Sequence, residues 1–200
     1  MRMEKRSKKC EVKSVEGRTI SGYAIRFNEE SQDMGFIETI AAGAVTDDTI
    51  KNSDVFAKLN HRDDVILARS RYGVGSLKLS IDEEGLYYEF ESPNTIWGDE
   101  LLEHIRRGEI TSSSFAFSIA ADEDAQEWYK DGDTLKRTIY KIDALYDISP
   151  VFEPAYLSTS CSARSKEAED ALAKIEAKRQ AKIINNLNEK LGDFLNKINI

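Results

Sequence analysis

A mainly β domain with peripheral helices is the fold this sequence predicts, and three observations carry it. Between Thr19 and Val151, short runs of alternating apolar and polar residues recur, separated by turn signals roughly every eight to twelve residues. One internal stretch has clear helical periodicity. Beyond Pro154 the composition shifts to Ala, Glu, Lys, Leu and Ile, which reads as a separate helical tail. About eight strands and one internal helix together suggest a small β-barrel or sandwich decorated by helices.

Taken in order, Thr19 to Asn28 (TISGYAIRFN) reads as a strand with Gly22 at a bulge or close contact, and Phe36 to Ile40 as a second. Thr46, Asp47 and Asp48 form the polar start of a short helix. Asp54 to His61 is a third strand, followed by the short apolar Val65 to Ala68. Gly75 to Ile81 and Leu86 to Glu91 alternate on either side of DEEG, a hairpin signal. The internal helix is predicted over Thr95 to Arg107. Asn94 or Thr95 caps it, Ile96, Leu101, Leu102 and Ile105 form its apolar stripe, and Gly108 stops it. Arg106 and Arg107 suit the negative end of its dipole. A strand rich in phenylalanine follows, then a hairpin turning at Asp131-Gly132, then Leu145 to Val151, halted by Pro150 and Pro154.

Charge and composition narrow the function. The 200 residues are 40% hydrophobic and 32% charged, which suffices for a sizeable core under a solvated surface. A net charge of −8 argues against a broad basic nucleic-acid surface. Arg2, Lys5, Arg6, Lys8 and Lys9 nevertheless make a basic tip, and residues 1–15 read as a flexible end. Cys10 and Cys161 lie far apart without metal-ligand spacing, so a reducing, intracellular compartment is expected. No run of 18 apolar residues is present, so no membrane partner is expected. Phosphate-loop, dinucleotide, HExxH and calcium-loop spacings are absent too, so neither cofactor nor metal is expected.

The chain divides on this reading into the end at 1–15, a domain at 16–157, a polar linker at 158–165 (including STSCSARS) and a helical tail at 166–200. In the tail Ile184, Leu187, Leu191, Phe194 and Ile198 follow the three-four spacing of an amphipathic helix. Packing on its own domain, docking to a partner and self-association as a homodimer are all open for that seam. The polar linker is a candidate for self-cleavage.

One stretch organises the chemistry: IRRGEITSSSFAF, from Ile105 to Phe117. Strand alternation sends Ser113 to the core with Phe115 and Phe117, and sends Ser112 and Ser114 to the other face. A hydroxyl with small neighbours there can be offered to a substrate, although the same serines also suit a plain turn. A serine nucleophile needs a base and a group that orients the base. Only two histidines exist. His61 ends a strand in the polar run HRDD, whereas His104 sits on the helix. For the orienting acid, Asp147 stands in an otherwise apolar strand on one face with Leu145 and Ser149. Asp63, Asp64 and Asp143 are competitors that spacing does not separate.

The succession GRTISGYAIRFNEES, GFIETIAAGAV, LNHRDDVILARSRYGVGSLKLSIDEEGLYYEFESPNT, IRRGEITSSSFAF and LYDISPVFEPAY resembles the prohead (capsid maturation) serine proteases of tailed bacteriophages, over roughly residues 17 to 160. The resemblance implies a closed β-barrel of herpesvirus-protease-like type. It implies an endopeptidase that cleaves scaffold segments and extensions of the major capsid protein, in the host bacterial cytoplasm inside assembling procapsids. Carried over by position, the family's histidine falls on His61, its serine on Ser114, and the acid before Ser-Pro on Asp147. The sequence departs from the pattern at Ala116, where glycine is common, at Ser113, where a bulky residue is common, and at Asp147, where glutamate is frequent. Those departures leave a second reading, a non-enzymatic assembly or scaffold component with the same barrel and a degenerate site.

Overall fold

Alternating core and solvent positions fix where each strand lies, and the ladders sort the strands into three sheets. The computed structural model describes residues 3–8, 12–14, 17–152 and 161–198, with side chains for 3–6, 17–152 and 168–189. In chain order the elements are β1 (Glu4–Lys8), β2 (Val12–Ser14), β3 (Thr19–Arg26), β4 (Ile37–Ile40), α1 (Asp47–Lys51), β5 (Asp54–Lys58), β6 (Ile66–Arg71) and β7 (Val74–Gly75). They continue with β8 (Lys78–Ile81), β9 (Gly85–Glu91), α2 (Ile96–Arg106), β10 (Ser112–Ile119), β11 (Gln126–Asp131), β12 (Thr134–Ile139), β13 (Ile142–Val151) and α3 (Cys161–Ile198).

The sheet orders are β1-β10-β13-β5-β6-β7, β2-β3-β9-β8 and β11-β12-β4. A mainly β fold with a few helices is thus present. A single closed barrel is not found among the described residues, where no ladder joins the three sheets into one ring. Apolar faces of the two larger sheets and α2 meet in one core, with Ile20, Tyr88, Phe90, Leu101, Phe117 and Ile148 at its heart. A second, smaller cluster puts Phe36, just before β4, and Leu135 of β12 against Ala168 of α3, with Trp128, Leu172 and Ile175 packed around it.

Helix ends follow local chemistry. Thr46 caps α1 in a reciprocal arrangement with Thr49. The Thr95 hydroxyl accepts the Gly98 amide at the start of α2, and Gly108 takes a φ of +73° just past its end. Leu101, Leu102 and Ile105 are buried, but Ile96 is exposed because it lies in the first turn, ahead of the contact with the sheets. The hairpins form at DEEG, between β8 and β9, and at Asp131-Gly132, between β11 and β12.

Three expectations need correction. Residues 4–8 are not a loose end: they form β1, paired antiparallel to β10, with Arg6 and Glu4 held by ion pairs to Glu38 and Arg137 rather than by apolar contacts. Pro150 does not halt β13, which runs through it to Val151; with no N–H to donate, the proline still uses its carbonyl to accept the Asn60 amide. The tail helix begins at Cys161, within the stretch read as linker, while residues 153–160 lie outside the described residues, as do 1, 2, 9–11, 15 and 16 of the N-terminal end. On the tail seam Ile184 and Leu187 are exposed, and the side chains of Leu191, Phe194 and Ile198 are outside the described set. No helix among the described residues is long and apolar enough to cross a membrane.

Candidate active site

β10 is the strand on which the site is built. Its alternation separates the serines as the sequence predicts: the Ser113 hydroxyl meets the Tyr88 hydroxyl at 2.8 Å in the core, while Ser114 Oγ faces the opposite way. Opposite β10 runs β13, with Ser114 across from Ser149 and Ala116 across from Asp147. β5 lies parallel to β13 on its far side, and its C-terminal end delivers the loop that carries His61.

That loop is tightly shaped. The Arg62 amide donates to the Leu59 carbonyl, and the two central residues, Asn60 and His61, have φ of +50° and +61°. Two successive positive φ values are the signature of a type I′ turn, which asparagine tolerates well and histidine tolerates at a cost of about 1 kcal/mol. The Asn60 amide ties the turn to the Pro150 carbonyl of β13. The imidazole is thereby aimed back over β13 toward β10.

The result brings three distant positions together. His61 Nε2 lies 2.5 Å from Ser114 Oγ, and His61 Nδ1 lies 3.3 Å from Asp147 Oδ2. The second contact is within ion-pair distance but off the line of a hydrogen bond, and buried Nδ1 has no hydrogen-bond partner among the described residues. Asp147 is itself held in place. Ser149 Oγ donates to its other oxygen, and Lys58 Nζ stands 3.5 Å from Oδ2. Burial works against the charge on Lys58, but Asp63 and Asp147 outweigh it and raise its pKa.

The competing acids lie elsewhere. Asp63 binds Lys58 at 2.6 Å, Asp64 pairs with Arg62, and Asp143 is exposed near the start of β13. His104 is engaged on α2 by Glu109 at 2.6 Å, with its ring edge-on to Phe152. The Glu109 hydrogen bond raises the His104 pKa against a smaller opposing effect of burial. Ser112 is buried at the start of β10.

One finding departs from the expected open hydroxyl. Ser114 is 0% exposed, and the cover is β1: Ser114 Oγ donates to the Arg6 carbonyl at 2.8 Å. Beside it runs a buried charge network. Arg6 donates to both oxygens of Glu38, at 2.5 and 2.9 Å, and Arg137 donates to Glu38 and to Glu4. Burial opposes the charge on Arg6 and on Glu4, yet their partners prevail, raising the pKa of the guanidinium and lowering that of the carboxyl. Sequence reading missed this network, though a signal existed. Glu38 alternates in phase with Ile40, and Arg137 stands between Leu135 and Ile139, so both occupy core parity in their strands.

No group of three His, Cys, Asp or Glu side chains among the described residues is placed to hold a metal. The profile of the caudovirus prohead serine proteases matches residues 7–174, which include β10, β13 and the His61 loop. The chain belongs to the caudovirus prohead serine protease family. Membership makes it a peptidase by descent and ties it to the phage prohead. The structure is similar to the capsid assembly protease of bacteriophage T4, gp21, with 12% sequence identity, 76% of this chain and 98% of that chain covered, and a TM-score of 0.45. No curated protein matches this chain by sequence.

Proposed function

We propose that this family member is a serine endopeptidase of procapsid maturation, acting on scaffold segments and extensions of the major capsid protein inside the assembling shell. Ser114 Oγ attacks the peptide carbonyl while His61 Nε2 takes its proton. The new Oγ–C bond gives a tetrahedral oxyanion, whose collapse breaks the C–N bond as His61 returns the proton to the leaving amine. Water, deprotonated by His61, then releases the acyl group and restores the serine. Asp147 favours the tautomer with hydrogen on Nδ1 and stabilises the imidazolium, and Ser149 and Lys58 keep its carboxylate turned toward the ring.

The observation that carries this reading is the 2.5 Å approach of His61 Nε2 to Ser114 Oγ, with Asp147 on the far side of the ring. A lone histidine or serine has many structural uses, but this order of hydroxyl, imidazole and carboxylate is assembled from three separate elements. The burial of Ser114 beneath β1 favours the second reading, a non-enzymatic assembly component. Co-expression with the capsid protein, followed by mass measurement, decides between them. Processing that disappears in Ser114→Ala supports the protease; a capsid protein equally processed, or equally unprocessed, with both forms sinks it.

A further inference from the structure

Without β1, β10 is the outer strand of its sheet, and an outer strand is a template for an extended peptide. β1 fills that place in antiparallel register from Glu4 opposite Phe117 to Lys8 opposite Ser113. The carbonyl it brings to the Ser114 hydroxyl is that of Arg6, so the peptide bond at the candidate nucleophile is Arg6–Ser7. Alternation then puts Glu4 and Arg6 on one face, where two buried, oppositely charged side chains receive them. Glu38 (4% exposed) takes the Arg6 guanidinium through two hydrogen bonds, and Arg137 (2% exposed) takes the Glu4 carboxylate through two more. Arg137 is also fixed by Gln126 and lies over the Trp128 ring, so its place does not depend on β1.

We propose that Glu4–Lys8 occupies the seat of the substrate strand, and that this seat selects arginine at the residue whose carbonyl meets Ser114 and an acidic residue two positions before it. The selection rests on the protease reading of Ser114 given above. Glu38 reads the arginine. With the seat empty, its Oε1 loses the Arg6 partner while Oε2 keeps Arg137, and an incoming guanidinium restores the missing charge-assisted hydrogen bond. A lysine offers a point charge and cannot match both carboxylate oxygens at once, so arginine is preferred over it. Arg137 reads the acid in the same way. The chain's own strand therefore acts as an intramolecular competitor that has to leave before a substrate enters.

The test uses the full chain and an internally quenched peptide with the sequence of residues 3–8, beside the same peptide carrying citrulline for arginine. Citrulline keeps the shape and removes the charge. Cleavage after the arginine is expected, with kcat/KM roughly a hundredfold lower for citrulline. Glu38→Gln should bring the two peptides within a few-fold of each other. If that variant does not fold, the arginine-to-citrulline ratio on the unaltered chain decides alone. Reaction of Ser114 with a fluorophosphonate is followed in the same samples. A labelled enzyme that cuts both peptides equally, or neither, overturns the selectivity and leaves the protease reading intact. Neither label nor cleavage overturns both.

Discussion

The Arg6 carbonyl and the Ser114 hydroxyl meet at 2.8 Å across the β1–β10 ladder, and this contact closes the site with the chain's own backbone. Loosening β1 should therefore open it. Arg6→Ala removes both hydrogen bonds to Glu38 while leaving His61, Ser114 and Asp147 untouched. Losing a desolvated charge pair weakens such an association by about 2–5 kcal/mol. The expected result is fluorophosphonate labelling of Ser114 at least about tenfold faster than in the unaltered chain. Equal labelling rates would mean that β1 is no barrier.

Asp147→Asn probes the third position. The amide keeps the size of the carboxylate but offers the ring an N–H as readily as an oxygen, so the productive tautomer is no longer favoured. In a serine-histidine-acid site this substitution lowers kcat by about 10⁴-fold with the fold preserved. The departure from glutamate does not leave the side chain out of reach, since Oδ2 already stands 3.3 Å from Nδ1. Turnover within a few-fold of wild type, with an unchanged melting curve, would remove Asp147 from the mechanism.

How far such a site is legible in a sequence depends on which forces place each residue. Strand parity is local, so the opposite orientations of Ser113 and Ser114 follow from β10 alone. The cap at Thr95 and the stop at Gly108 are equally local. What stays hidden is built from contacts distant along the chain. β1 has no apolar alternation to betray it, because its buried face is Glu4 and Arg6, and their burial makes sense only beside Glu38 and Arg137. Pro150 reads as a stop because the rule concerns its missing donor, whereas here its carbonyl does the binding. Closure of the sheets is likewise a property of pairing, and a strand count does not contain it.

His104 gives a pH-dependent signature away from the site. Its folded pKa is raised above the ordinary value near 6.5, chiefly by the hydrogen bond the ring donates to Glu109. The protonated ring is thus the form that the fold favours. Its stabilising contribution is complete below the unfolded pKa and fades as pH rises through the folded one. Glu109→Gln should destabilise the protein most at about pH 6 and progressively less toward about pH 9, as read by urea midpoints at each pH. A destabilisation that grows with pH would contradict the pairing.

The tail helix divides into a part that packs and a part that does not. Ala168 and Ala171 are buried, and Leu172 and Ile175 complete the small cluster with Phe36, Leu135 and Trp128. Further along, Ile183, Ile184 and Leu187 are each at least half exposed. Ending the chain after Lys178 removes no part of the cluster, so the melting temperature should stay within about 2 °C. Ending it after Ser165 uncovers Phe36 and Trp128 and removes four apolar side chains from their contacts. At about 25 cal/mol per Å² of apolar surface this costs roughly 2–4 kcal/mol. Comparing the two truncations by thermal melting separates the packed turns from the exposed ones. A loss of stability already complete at Lys178 would show that the distal turns hold the domain together as well.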